Sequence, residues 1–506
     1  MTNQQLSLAA RIGREQEKDA NTMNAPYNPG LLEQLQLRYA KGTAKMLIGG
    51  DWVEAASGET FETLNPSTGK LIGHVASGGD VDVDRAVAAA RAAFEGPWSK
   101  VKPDERTRLL LKLAELIEAN AMIDVQGAIG QLRYNAGWAS KIAGETNEIS
   151  APGEWFSYVL REPVGVCAQI VPWNFPLVMA VGKLAPALAA GCTVVVKPAE
   201  QTPLSTLRLG ELILEAGIPA GVVNIVTGLG RTTGAALASH PGINKISFTG
   251  STVTGKAIIE ASKSNFARVQ LELGGKSPTY IFADADLSKA IPAAAMGIFF
   301  NAGQVCAAGS RLFVHEKVAD QVLEGVTNMA RGMKVGQTLN ADTMIGPLVS
   351  ATQLERVTGY IQSGRDEGAS VLVGGDALKG EGYEGGYFVQ PTVLLDTKPD
   401  MRVRKEEIFG PVLCAMRFGD DEDLEALAGR GNETEFGLSA SIYTQNITTA
   451  HKLARRLKAG TIRINGSGGV DPALPLGGFK ASGWGRENGK AGIEAYTELK
   501  AVSVAL

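Results

Sequence analysis

The 506-residue sequence predicts an α/β protein of more than one domain, built on parallel sheets covered by helices. Three observations lead there. β-Branched runs at 166–171, 193–197, 222–226 and 245–248 alternate with alanine- and leucine-rich stretches such as 177–190 and 204–216. The length exceeds what one simple core supports. The chain is 44% hydrophobic with 61 glycines, which suits a loop-rich protein with tight strand-to-helix turns.

Taken in order, residues 1–45 are rich in Gln and Asn and read as a polar extension with one short helix at 31–39. The alternation from 166 predicts the first sheet, and 252–262 reads as a helix directly after the strand ending at Phe248. A second alternating region runs from about 276 to 486 and predicts a second domain. The net charge of −4 gives no electrostatic footprint for nucleic acid or an anionic membrane. Cys167, Cys192, Cys306 and Cys414 form no close-spaced pair, and the four histidines are dispersed. That argues against a disulfide framework or a metal site and for a reducing compartment. No apolar run has membrane-spanning length, and the first 24 residues lack the apolar stretch of a secretory signal, so the cytoplasm is expected.

Chemistry concentrates in two segments. One reads Phe299-Phe300-Asn301-Ala302-Gly303-Gln304-Val305-Cys306-Ala307-Ala308-Gly309, the other Glu272-Leu273-Gly274-Gly275-Lys276. A lone cysteine is ordinarily a small buried apolar residue, and Cys167, Cys192 and Cys414 are read so. Cys306 differs: glycines and alanines leave space around its sulfur, and Asn301 and Gln304 supply polarity. A thiolate there can attack a carbonyl, and a carboxylate can then activate water against the thioester. A glutamate before two glycines can also be a solvated strand end. Here Val269, Leu271 and Leu273 alternate with Gln270, Glu272 and Gly274, which puts the carboxylate on the polar edge of a buried strand. In Val171-Pro172-Trp173-Asn174-Phe175-Pro176 two prolines fix the backbone after a strand. Taken alone, the hexapeptide reads equally as a structural turn.

These motifs, with Glu272 standing 34 residues before Cys306, resemble the aldehyde dehydrogenase superfamily from about residue 46 to the C-terminus. The resemblance implies the aldehyde dehydrogenase fold: a Rossmann-like NAD-binding domain over 46–143 and 162–274, an α/β catalytic domain over 275–486, and a small antiparallel oligomerisation extension from 144–161 and 487–506. Its strands are expected at 155–160 and 502–506. It implies Cys306 as nucleophile, Glu272 as the base of deacylation, and Asn174 with the Cys306 amide as oxyanion donors. For the cofactor it implies Val171, Pro172, Trp173 and Leu273 at the nicotinamide side and Gly230 and Gly234 near the adenine. Phe248, Thr249, Gly250 and Ser251 would present the next helix N-terminus to the pyrophosphate. Lys197 and Glu200 end a strand where an acidic side chain hydrogen-bonds ribose hydroxyls and repels a 2′-phosphate, favouring NAD over NADP. The bland alternative is a surface Lys/Glu pair. Glu407 and Phe409 match the segment at the nicotinamide ribose and ring, with Gln353 joining the ribose contact.

Phe175, Met179, Gly182, Val470 and Leu476 are expected to line the substrate mouth. Gly182 stands where relatives often carry tryptophan, and Gly468-Gly469 precede Val470. That leaves room for a bulky aldehyde, although such glycines also form turns. Segments 471–478 and 304–308 with Gly255-Lys256 resemble the phenylacetaldehyde dehydrogenase branch. The expected partners are a small aldehyde and further copies of the chain, as a homodimer or homotetramer.

One departure from the family pattern stands near 119–126. About twenty residues of helix and turn are missing, roughly 30 Å if helical. The gap is expected on the outer face of the cofactor domain, bearing on stability more than mechanism. Two enzymes compete with this reading. A CoA-acylating semialdehyde dehydrogenase normally lacks the glutamate, and a cysteine hydrolase would need an activating histidine in a recognisable context. A catalytically impaired structural homologue is the non-enzymatic alternative.

Overall fold

The computed structural model of the protein describes residues 42–118, 123–466 and 471–506. The helix expected at 31–39, the junction at 119–122, and Val470 with Gly468 and Gly469 lie outside the described residues. Among those described, no helix is long and apolar enough to cross a membrane, and no three potential metal ligands cluster.

The first sheet has seven strands. Its order is Arg268–Glu272, Lys245–Thr249, Val166–Ile170, Thr193–Lys197, Val223–Ile225, Met46–Ile48 and Asp51–Val53. The first five are parallel and the last two antiparallel. Val166–Ile170 (β1), Thr193–Lys197 (β2) and Lys245–Thr249 (β3) are buried throughout, which explains why β2 is a continuous β-branched run and none of the three alternates apolar with exposed polar residues. Arg268–Glu272 (β4) is the edge, but segment 482–484 covers it: Leu271 N donates to Trp484 O and Leu273 N to Ser482 O, each at 3.0 Å.

Helix α1 (Pro176–Ala190) connects β1 to β2. Pro176 suits its first turn, where no helical N–H partner is lost, and Gly191 ends it at φ +93° in the left-handed conformation. Its residues 180–190 are almost wholly buried, each large apolar side chain contributing roughly 1.5–3 kcal/mol. The helix Ile123–Ala136, just after the sequence departure, packs on α1 and buries Ala128, Ile129, Leu132 and Ala136 in the same core. Gln131 Nε2 there donates to Asn488 Oδ1 at 3.0 Å. The helix after the departure thus buries one face in the core, while Glu118 before it and Gln126 and Arg133 on it are exposed.

The second seven-stranded sheet runs Ser370–Val373, Thr392–Leu395, Val412–Phe418, Arg311–His315, Pro278–Ile281, Ser439–Tyr443, Thr461–Ile464, parallel except for its first strand. Trp155–Pro163 pairs antiparallel with Thr497–Ala505 along its whole length, longer than the strands expected from 155–160 and 502–506. A further small sheet joins Thr43–Ala44, Leu71–Ala76 and Thr60–Leu64. Thr43 and Ala44 thus belong to the folded body and not to a polar extension.

Candidate active site

The nucleophile segment leaves helix α3 (Leu287–Phe299) through three left-handed residues in succession: Asn301 (φ +50°), Ala302 (φ +53°) and Gly303 (φ +70°). For residues with a Cβ this conformation costs about 1–3 kcal/mol each, so neighbouring contacts must impose it. Asn301 Nδ2 donates to Asn174 O at 3.0 Å, and Asn174 Nδ2 returns a bond to Gln304 O at 2.9 Å. Gln304 Oε1 accepts from Val349 N at 2.9 Å, tying the loop to a third segment. A Cβ on Gly303 would stand 2.1 Å from Gly410 O, and one on Gly275 would stand 2.3 Å from Cys306 O. Only glycine permits either approach.

Cys306 emerges partly exposed from this frame. Burial of the sulfur, then the charges of Glu272 and Glu407, push its thiol above the usual range, opposed by the N–H groups of Ala307 and Cys306. Glu272 ends β4 and is 1% exposed, so the polar-edge expectation is corrected: segment 482–484 seals that edge. Neither carboxylate oxygen has a hydrogen-bond partner among the described residues. Burial first, then the Glu487 carboxylate, raise its pKa well above the carboxylate range, while Lys183 and Arg486 pull it down. Lys183 pairs with Glu487 and donates to Ser247 Oγ at 3.1 Å. The sequence reading missed this buried pair; its one signal is a lysine inside the apolar run 177–190.

The expected cofactor residues fall into two groups. At one end, Val171 N donates to Lys197 O at 3.1 Å, and Lys197 Nζ lies 3.6 Å from Glu200. Burial lowers the Lys197 pKa, opposed by Glu200. A Cβ on Gly234 would reach 3.5 Å from the Lys197 stem, while one on Gly230 would meet nothing within 4 Å. Ser251 caps helix α2 (Thr252–Ser262), its Oγ accepting from Thr254 N at 3.2 Å, so α2 begins directly after Thr249 and Gly250. Phe248 and Leu273 are core residues, their side chains filling the space under Gly250 and Gly255. The residues present therefore fit a dinucleotide: a carboxylate at the end of β2, open space at Gly230, and a helix N-terminus between them.

At the other end, the Phe409 ring meets Trp173 edge-on at 5.2 Å, next to Pro172. Glu407 Oε1 accepts from Gly275 N at 3.0 Å, and a Cβ on Gly274 would fall 2.3 Å from its carboxylate. Gln353 does not extend freely: its Nε2 donates to Phe409 O at 2.7 Å. At the mouth, Phe175 stacks on Phe300, centroids 6.2 Å apart, and Phe300 was not among the expected lining residues. Met179 is half-buried against the core, and a Cβ on Gly182 would meet nothing within 4 Å. Leu476 is buried and bonds through its backbone to Glu487 in both directions, at 2.8 and 2.7 Å.

The sequence model of the aldehyde dehydrogenase family matches residues 52–123 and 119–502, two pieces that meet where the chain departs from the family pattern. An aldehyde dehydrogenase of Aspergillus niger is 48% identical, over 90% of this chain and 94% of its own. The mitochondrial benzaldehyde dehydrogenase of Antirrhinum majus is 47% identical, over 91% of this chain and 89% of its own. The NAD+ complex of aldehyde dehydrogenase from Bacillus cereus superposes with a TM-score of 0.90 at 45% identity, over 96% and 100% of the two chains. The family model covers most of the chain and the relatives are matched nearly end to end, so the chain belongs to the aldehyde dehydrogenase family and is an NAD-dependent enzyme of it.

Proposed function

We propose that the enzyme oxidises an aromatic or arylalkyl aldehyde such as phenylacetaldehyde to its acid, with Cys306 as nucleophile and Glu272 as base. The observation that carries the mechanism is the buried, unpartnered carboxylate of Glu272, close enough for its charge to act on the Cys306 thiol. The Cys306 thiol loses its proton to solvent water, and the thiolate adds to the aldehyde carbon as the carbonyl pair moves onto oxygen. The oxyanion accepts from the Cys306 amide and from Asn174, whose second amide hydrogen is not needed for Gln304. Bound NAD would supply the hydride acceptor, and Cys306 would then hold the acyl group as a thioester. Glu272 then draws a proton from water, which attacks the thioester and frees the acid and the thiol. The CoA-acylating alternative would leave Glu272 without a task.

Cofactor choice follows from Glu200. Its carboxylate can accept from a ribose diol and repels a phosphate dianion, so kcat/KM should favour NAD over NADP. Glu200→Ser should narrow that ratio by about tenfold, on the scale of one charged hydrogen bond. Equal use of both cofactors by the unmodified enzyme would refute the assignment.

The substrate proposal is volumetric. Gly182 leaves open space on the face of α1 that carries Phe175 and Met179. A ring filling such space gains about 25 cal/mol per Å² of apolar area buried. Similarity to a benzaldehyde dehydrogenase supports the same class. Phenylacetaldehyde should therefore exceed acetaldehyde in kcat/KM, and Gly182→Trp should penalise only the aromatic substrate. If both aldehydes respond alike, Gly182 does not face the substrate. Exposed Trp155, Phe156, Leu160, Leu499 and Val504 on the paired strands support a homodimer or homotetramer. The four free cysteines support a cytoplasmic setting.

A further inference from the structure

Behind the nucleophile, segments 174 and 301–304 hold each other through a reciprocal pair of asparagine amides. Asn301 Nδ2 donates to Asn174 O at 3.0 Å and reaches Gln304 O at 3.4 Å. Asn174 Nδ2 donates to the same Gln304 O at 2.9 Å. Asn301 thus fixes the backbone of residue 174, while the carbonyl at 304 fixes the direction of the 174 amide. Gln304 is 5% exposed and locks the turn itself: its Nε2 donates to Asn301 O at 3.2 Å, and its Oε1 accepts from Val349 N at 2.9 Å. Asn301 does this from a left-handed conformation, φ +50°, with Ala302 beside it at φ +53°.

An amide nitrogen carries two hydrogens. One of those on Asn174 is committed to Gln304 O, so the amide plane sets a single direction for the other. A donor already aimed before charge develops needs no reorganisation in the transition state. We propose that Asn301 is a positioning residue for this donor: it holds residue 174 where Gln304 O takes one amide hydrogen and the other is left for the oxyanion. The proposal rests on the reading of Asn174 as an oxyanion donor. Asparagine meets two demands at position 301, because it tolerates the left-handed turn and supplies the N–H. Substitution can separate them.

The test uses the full-length enzyme with Asn301→Gly, Asn301→Asp, Asn174→Ala and the Asn301→Gly/Asn174→Ala double variant. Glycine adopts the left-handed turn readily but has no amide. Aspartate keeps the shape and the turn, yet offers only acceptors toward the two carbonyls. Both should lower the rate of the NADH burst and kcat about ten- to hundredfold, less than outright removal of an oxyanion donor. KM for aldehyde and Kd for NAD should stay within about twofold, since the ground state does not use the aimed hydrogen. The thermal midpoint of Asn301→Gly and the rate at which iodoacetamide alkylates Cys306 should stay at wild-type values, because the turn is kept. Added to Asn174→Ala, Asn301→Gly should cost little more, because it acts through that residue.

A wild-type burst rate in Asn301→Gly overturns the proposal and leaves Asn301 a turn former. So does a loss that follows a lowered thermal midpoint or slowed alkylation, or a full further loss in the Asn174→Ala enzyme, since residue 301 would then act on Cys306 itself. Asn174→Ala separates the two layers. If it leaves the burst at the wild-type rate, the oxyanion reading fails. If it slows the burst while Asn301→Gly does not, the positioning role alone fails.

Discussion

Cys306→Ala loses turnover by a factor on the order of 10⁴ or more and keeps its affinity for NAD. The loss follows from chemistry: without sulfur no covalent adduct forms, and no other nucleophile stands in the frame built by Asn174, Gln304 and Gly275. The other free cysteines, Cys167, Cys192 and Cys414, are fully buried and cannot substitute. Retained affinity follows from placement, since Lys197, Glu200 and the start of α2 belong to the other sheet and make no bond to residue 306. Alanine keeps the Cβ, so the close passage of Gly275 is undisturbed. NADH absorbance with an aldehyde panel, beside NAD titration by protein fluorescence, checks both halves. Turnover above a trace would remove Cys306 from the mechanism.

Glu272→Gln should release one equivalent of NADH in a burst and then stall, with steady-state turnover lowered about 10²–10⁴-fold. Hydride leaves the thiohemiacetal without help from this carboxylate, whereas water needs it to lose a proton. The pH dependence carries the sign. Burial and Glu487 raise the Glu272 pKa above the ordinary carboxylate range. Only the ionised form accepts a proton, so deacylation should climb as pH rises through a value above the ordinary carboxylate range. In Glu272→Gln that limb should vanish from the steady-state profile. Should the burst disappear together with turnover, Glu272 serves deprotonation of Cys306 and not deacylation.

A continuous β-branched run identified β2, because a strand buried on both faces has that composition whatever lies far away in sequence. Glu272 was legible as a catalytic candidate but not in its setting. Alternation around it suggested a polar edge, and only the return of segment 482–484 to that edge makes it sealed. Lys183 and Glu487 stand 304 positions apart, and their pairing is a product of tertiary packing. Gln353 was assigned to a ribose because its type suits that contact. The structure also engages its Nε2 with Phe409 O, a bond that depends on a backbone bend no residue preference announces. The left-handed passage through Asn301 and Ala302 was equally hidden, since neither the asparagine nor the alanine requires it.

The glycines at 275 and 303 divide the site into parts of different mutability. Around Cys306 the geometry is written in main chain, and any side chain at those two positions would collide with a carbonyl. At the proposed mouth it is written in the side chains of Phe175, which caps α1, and Met179, with open space at Gly182. Amino-acid exchange can therefore redraw which aldehyde enters while leaving the machinery that oxidises it untouched. Diversity of substrate and constancy of reaction are, in this architecture, separately inherited.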